Sequence, residues 1–322
     1  MVNSKSTSTN ITQRTLKETI AYVGIGLHTG QKVSMKVQPA DVNTGINFIR
    51  KDAEPGTKLI PARWYNVRES TLRTILGNNH NVTIMTTEHL LAAFVGCGID
   101  NALVEIDGPE VPIMDGSSQP FVSMIEKIGT IEQYEPRHAI WVQRPIEIRD
   151  GDKFAIMMPS EVPRITVSID FENTVIGNQT LSVELVNEAF RNNIAKARSF
   201  GFANQVEMLK KKGLARGGSL QNAILVDGDR IVNEDGLRYK DEFVRHKILD
   251  SLGDLSLAGV PILGHYYAYK PGHELNTKFV RKLFEESSSW SYLTVNEYNA
   301  LTGRQEPETH TETEVSQQEA VV

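Results

Sequence analysis

Residues 86–108 read TTEHLLAAFVGCGIDNALVEIDG, and the change of period inside them decides the fold class. Leu90, Leu91, Phe94 and Val95 recur at helical spacing. Thr86 or Thr87 is placed to cap the first turn, and Gly96 or Gly98 to stop the last. Directly after the glycines, NALVEIDG (101–108) reads as a strand ending in a turn. A second helix, SSQPFVSMIEKIG (117–129), follows with its own glycine stop. Upstream, Val33, Met35 and Val37 in QKVSMKVQPA (31–40) alternate with polar residues as in a half-buried strand, and TLRTILG and NVTIM frame a short turn. Residues 13–128 are therefore expected to form strands followed by two helical segments.

The pattern returns downstream. WVQRPIEIRDGDKFAIMMPS (141–160) predicts a hairpin around RDGD, and PRITVSIDF another strand. Short helices are expected at NEAFRNNI and NQVEMLKKKG, and a strand at AILVDGD. A helix over 241 to about 258, the strand HYYAYK and a helix over about 273–286 complete the second half. The expected organisation is a flexible N-terminus (1–12), a first α/β domain (13–128), a linker (129–138), a second α/β domain (139–303) and a disordered acidic tail (304–322). The tail carries five glutamates and His310, with few large apolar residues to anchor it.

The chain has 322 residues, 40% of them hydrophobic and 23% charged, and a net charge of -6. That balance suits a globular protein and argues against a nucleic-acid backbone as main partner. The lone Cys97 excludes an internal disulfide framework, fits a reducing compartment and leaves any metal to His, Asp and Glu. No run of 18 or more apolar residues and no signal-peptide core are present, so no transmembrane segment and a cytoplasmic location are expected.

Several motifs invite chemistry. GIGLHTG (24–30) lacks the helix that a dinucleotide site needs after its glycines, so it reads as a turn with His28 structural or at a pocket edge. In HKILD, His246 and Asp250 stand at i and i+4, on one side of a helix and one turn apart. That spacing suits a metal pair, but a solvated face has it too. Asp254 is a further turn along. Glu88 and His89 are adjacent and do not share a face, though both can reach one centre from a helix terminus. His273 opens a helix after Pro271 and Gly272. There is no HExxH, no paired cysteines and no G-x-S-x-G, so zincin, zinc-finger and serine-hydrolase readings lose their local support.

Taken together, GIGLHTG, TTEHLLAA, GIDNALVEIDGPEVPIMDGSSQPF, ARSFGF, VNEDGLRYKDEFVRHKILDSLGDL and GHELN closely resemble the UDP-3-O-acyl-N-acetylglucosamine deacetylases, zinc amidases of lipid A synthesis. The resemblance spans about residues 13–300. It implies an α+β fold of two similar two-layer α/β domains, each a β-sheet packed on two helices, with the helices facing each other at the domain junction. It implies zinc held by His89, His246 and Asp250, Glu88 as general base, and His273 as charged partner or general acid supported by Asp254. Ser199 stands where the family commonly has threonine, and the resemblance implies that its hydroxyl faces the oxyanion, that Phe200 lies near the substrate sugar, and that Lys247 and Lys270 lie near the nucleotide diphosphate. An insert near 201–232, with Val206, Met208, Leu209 and Leu214, would form the passage for the acyl chain. The implied partner is a small-molecule acylated UDP-sugar, and a monomer is expected. The competing classes are a zinc amidase acting on another acylated sugar and a non-catalytic scaffold.

Overall fold

A computed structural model describes residues 11–303 except 173 and 187. The expected N-terminal segment as far as residue 10 and the expected tail 304–322, with His310, lie outside the described residues.

Two five-stranded sheets follow one path. The first has the order Ile20–Ile25, Lys32–Pro39, Ala102–Ile106, Ile46–Arg50, Leu59–Pro61. Its central strand, last in chain order, is antiparallel to Lys32–Pro39 and parallel to Ile46–Arg50. The second has the order Ile146–Asp150, Lys153–Met158, His265–Tyr269, Arg164–Phe171, Gly177–Glu184. Again the last strand is central, antiparallel to Lys153–Met158 and parallel to Arg164–Phe171. A parallel pair needs a long crossover, and in each half the crossover contains a helix.

The helices are α1 (Glu88–Cys97), α2 (Gln119–Ile128), α3 (Ala189–Asn193), α4 (Ala203–Lys211), α5 (Glu242–Leu255), α6 (His273–Glu285) and α7 (Val295–Thr302). α1 leads into the first central strand and α2 follows it; α5 and α6 repeat this in the second half. α1 is buried from Glu88 through Phe94, and α5 is buried except at Arg245 and Lys247. Helices covered on both sides belong between layers, and α1 packs on α5 across the junction. α2 and α6 are one-faced, burying Phe121, Val122 and Ile125, and Leu275, Phe279, Val280 and Leu283. Each such apolar side chain contributes about 1.5–3 kcal/mol on burial. This is the α+β arrangement expected, with sheets outside and helices meeting between them.

Local details depart from expectation. α1 has no side-chain cap: Thr86 sits at φ 59° and its hydroxyl donates to Glu110 at 2.9 Å, while the Thr87 hydroxyl finds no partner among the described residues. Gly98 stops the helix in the left-handed region, its N–H reaching the Phe94 and Val95 carbonyls. The stretch expected as a linker is ordered sheet: Thr130–Pro136 pairs antiparallel with Thr12–Leu16, so Thr12 is already strand. Strand Trp290–Thr294 and α7, absent from the sequence reading, close the second half, with Thr294 and Glu297 forming a capping box.

Candidate metal centre

α1 presents Glu88 and His89 from its first turn, and α5 presents His246, Asp250 and Asp254 from one face. These five side chains, with His273 at the first position of α6, are all buried. The sequence-expected ligands converge: one donor atom each from His89, His246 and Asp250 lies within 4.8 Å of the others. Asp250 Oδ1 is 3.3 Å from His246 Nε2 and 3.6 Å from His89 Nε2. The two imidazoles meet edge to face, with centroids 5.1 Å apart.

Hydrogen bonding aims these donors. His246 Nδ1–H donates to the Ala197 carbonyl at 3.1 Å, which fixes the tautomer and turns a bare Nε2 toward Asp250. Asp250 Oδ2 accepts from Lys247 Nζ at 3.0 Å. Asp250 Oδ1 is buried with no hydrogen-bond donor among the described residues. A buried anionic oxygen without a donor is costly, and two imidazole nitrogens flank it. This donor set fits a divalent cation that accepts mixed nitrogen and oxygen ligands. Burial pushes the His246 imidazole down to about 3, which keeps it neutral and ligand-competent. Burial alone would raise the Asp250 carboxyl, but the surrounding imidazoles and the Lys247 ammonium outweigh it and hold it well below the usual range.

A second group adjoins the first. His273 Nδ1–H donates to Asp254 Oδ2 at 2.9 Å, and its Nε2 lies 3.7 Å from Glu88 Oε1. Asp254 is fully buried and also accepts from Thr74 Oγ1 at 2.6 Å and Asn276 Nδ2 at 2.9 Å. Burial would lower the His273 imidazole, yet the carboxylates of Asp254 and Glu88 carry it up to about 10. Burial raises the Glu88 carboxyl despite His273 and His89 nearby. The arrangement can therefore hold a proton on His273 and move one through Glu88, beside the three metal-type donors.

The remaining expected residues divide. Ser199 is held through its backbone, donating to the Gly116 carbonyl and accepting from Ile224 N–H, both at 2.8 Å. Phe200 reaches the cluster: its ring lies 6.1 Å from that of His246, and Lys247 Nζ stands 5.8 Å from its centroid. Lys270 is not brought to the cluster; its ammonium pairs with Asp152 at 2.9 Å and Asp170 at 3.3 Å. In the 201–232 segment, α4 buries none of its residues, and Met208 is 48% exposed.

Sequence reading misses Thr74 and Asn276, the other partners of Asp254. Asn276 lies three residues after His273, a same-face spacing that serves as a signal; Thr74 carries none. His28 proves buried. Its loop meets the 215–217 segment, with Arg216 N–H donating to the His28 carbonyl at 3.2 Å and Gly217 N–H to that of Leu27 at 3.0 Å. Glu110 braces the same loop through His28 N–H, Thr29 N–H and the Thr29 hydroxyl, each at 2.8 Å.

The sequence model of the family described as UDP-3-O-acyl N-acetylglycosamine deacetylase matches residues 13–285. A protein of Idiomarina loihiensis named UDP-3-O-acyl-N-acetylglucosamine deacetylase is 47% identical over 292 residues, covering 90% of this chain and 95% of its own. Proteins of the same name from Shewanella violacea and Saccharophagus degradans are 46% identical over 282 residues and 47% over 286. They cover 87% and 88% of this chain, and 92% and 94% of their own.

Proposed function

The chain belongs to the UDP-3-O-acyl N-acetylglycosamine deacetylase family, and from that premise we propose that it hydrolyses the N-acetyl group of UDP-3-O-(3-hydroxyacyl)-N-acetylglucosamine. The products are acetate and the free 2-amino sugar nucleotide, in the committed step of lipid A synthesis. The observation that carries this reading is the buried His89–His246–Asp250 donor set with Glu88 and His273 directly beside it.

His89, His246 and Asp250 would hold the metal, and zinc suits two imidazoles and one carboxylate. When bound, zinc supplies Lewis acidity toward the attacking water and the acetamide carbonyl. Glu88, its carboxyl raised by burial, takes a proton from the water. His273, held protonated through Asp254, stabilises the developing oxyanion together with the Ser199 hydroxyl. The amide C–N bond then breaks, and the amine leaves with a proton from Glu88 or His273. Thr74 and Asn276 keep Asp254 oriented.

Phe200 packs against the sugar, and Lys247 and Lys270 meet the diphosphate, Lys270 by exchanging its present carboxylates. The half-exposed apolar side of α4 lines the acyl passage. The lone Cys97 fits a cytoplasmic enzyme, and the complete ligand set within one chain fits a monomer.

The test is zinc content and acetate release measured on one purified sample, before and after chelation and zinc return. About one zinc per chain with chelator-sensitive release is the expected result. Bound zinc without release would retain the site and reject the substrate. A rate indifferent to removal of the 3-O-acyl group would point to a related amidase instead.

A further inference from the structure

Behind the metal helices lies an inter-domain cavity of about 460 Å³, a size in the ~300–1,000 Å³ range of small-molecule sites. Leu91 and Phe94 of α1 and Leu252 and Leu255 of α5 form apolar parts of its wall. Leu91 is two residues past His89, and Leu252 two past Asp250. Two helical residues correspond to roughly 200° of rotation. The cavity and the metal ligands therefore occupy opposite faces of the same two helices.

Five arginines also line the cavity. Four have carboxylate partners: Arg14 with Glu132 at 3.0 Å, Arg137 with Asp100 at 2.8 Å, Arg164 with Glu184 at 2.6 Å and Arg191 with Glu126 at 2.9 Å. Arg63 has none among the described residues; its hydrogen bond runs to the adjoining Ala62 carbonyl at 3.3 Å. Its half-buried guanidinium lies on Gly259, another wall residue, where a β-carbon would come within 2.7 Å of it. A partly desolvated cation without a counter-ion favours an anionic head group. The apolar walls beside it favour a hydrocarbon chain.

We propose that this cavity binds a single-chain anionic amphiphile, a fatty carboxylate, with its head on Arg63 and its chain along the wall formed by Leu91, Phe94, Leu252 and Leu255, and that its occupancy is coupled to metal binding. A chain inserted there bears on the packing that fixes His89 against Asp250. Coupling of this kind is reciprocal, so metal removal changes amphiphile affinity by the same factor. The binding itself is independent of which amide the metal centre hydrolyses.

The test is calorimetric titration of the full-length, zinc-loaded protein with dodecanoate below its micelle-forming concentration. Saturable binding of one molecule per chain is expected, weakened about tenfold or more by Arg63→Met, a loss of about one charge-assisted hydrogen bond. Dodecanol should bind the unaltered chain correspondingly more weakly, which carries the test should Arg63→Met fail to fold. Met208→Lys, on the α4 side assigned to the acyl passage and outside the cavity, should leave the Arg63-dependent part of dodecanoate binding unchanged. Equal binding by Arg63→Met and the unaltered chain, loss in Met208→Lys alone, or no saturable binding would overturn the site. Identical dodecanoate affinity before and after chelation would overturn the coupling.

Discussion

Gly253 of α5 lies directly against the backbone of Glu88: a β-carbon at 253 would collide with the Glu88 carbonyl. The absence of a side chain there sets how closely α1 and α5 approach. That approach brings His89 of one helix to Asp250 of the other, 3.6 Å apart. The glycine inside HKILDSLGDL is thus a helix-packing contact made beside the proposed metal ligands, at the cost of about 1 kcal/mol of helix propensity relative to alanine.

Gly253→Ala should push the helices apart despite its better helix propensity. The expected outcome is a loss of about 1–3 kcal/mol of stability by overpacking, read by chemical denaturation. Zinc affinity should fall as well, and kcat by about a hundredfold for a displacement near 1 Å. A variant more stable than the parent with unchanged zinc affinity would contradict this role for Gly253.

Glu88 and His246 should separate metal binding from turnover. Glu88→Gln keeps the shape and leaves the three expected ligands in place, so zinc content should stay near that of the parent while kcat falls by about 10²–10⁴. His246→Ala removes a ligand and should abolish both. Metal analysis beside acetate release checks the pair, and near-normal turnover in Glu88→Gln would refute its assignment as base.

The α5 side of this site is legible as a spacing, whereas its union with Glu88, His89 and His273 is legible only through the family resemblance. His246 and Asp250 stand one helical turn apart, and Asp254 another, so one face of α5 can be read directly. What lies out of reach is set by distant partners. The Thr86 hydroxyl, a cap by its position, is taken by Glu110, 24 residues away. Thr74 reaches Asp254 across 180 residues. The ribbon Thr130–Pro136 reads as linker because none of its residues is fully buried and no apolar alternation marks it. α7 is different, since the Thr294/Glu297 capping box stands in the sequence as a signal for it. The two sheets' common strand order stays hidden, because sequence reading does not identify the strands Ile46–Arg50 and Leu59–Pro61.

Ser199 offers a test of how tightly its hydroxyl must be placed. Ser199→Ala should lower kcat by about 10²–10³ with little change in zinc content, the cost of losing one oxyanion donor. Ser199→Thr restores the hydroxyl and adds a methyl that restricts χ1, so it should retain turnover equal to or above the parent. Steady-state kinetics on both variants decides this, and full activity in Ser199→Ala would remove Ser199 from the reaction.

The His273–Asp254 pair predicts a specific pH dependence, best measured on chelated protein so that no metal charge competes. The folded imidazole is raised from an ordinary 6.5 to about 10, its carboxylate neighbours outweighing burial. Between those values the native state holds a proton that the unfolded chain has released. This contribution to stability is therefore complete below about 6.5, and it is lost as pH rises through about 10. Asp254→Asn removes one of the two principal carboxylates, so the His273 pKa should drop and the alkaline loss should begin at lower pH. Asn276→Ala leaves both carboxylates and should move the titration less, while loosening Asp254 and lowering kcat. Histidine resonances followed by NMR titration, with denaturation midpoints across the same pH range, provide the check. A His273 that titrates near 6.5 in the parent would break the link between Asp254 and a protonated imidazole.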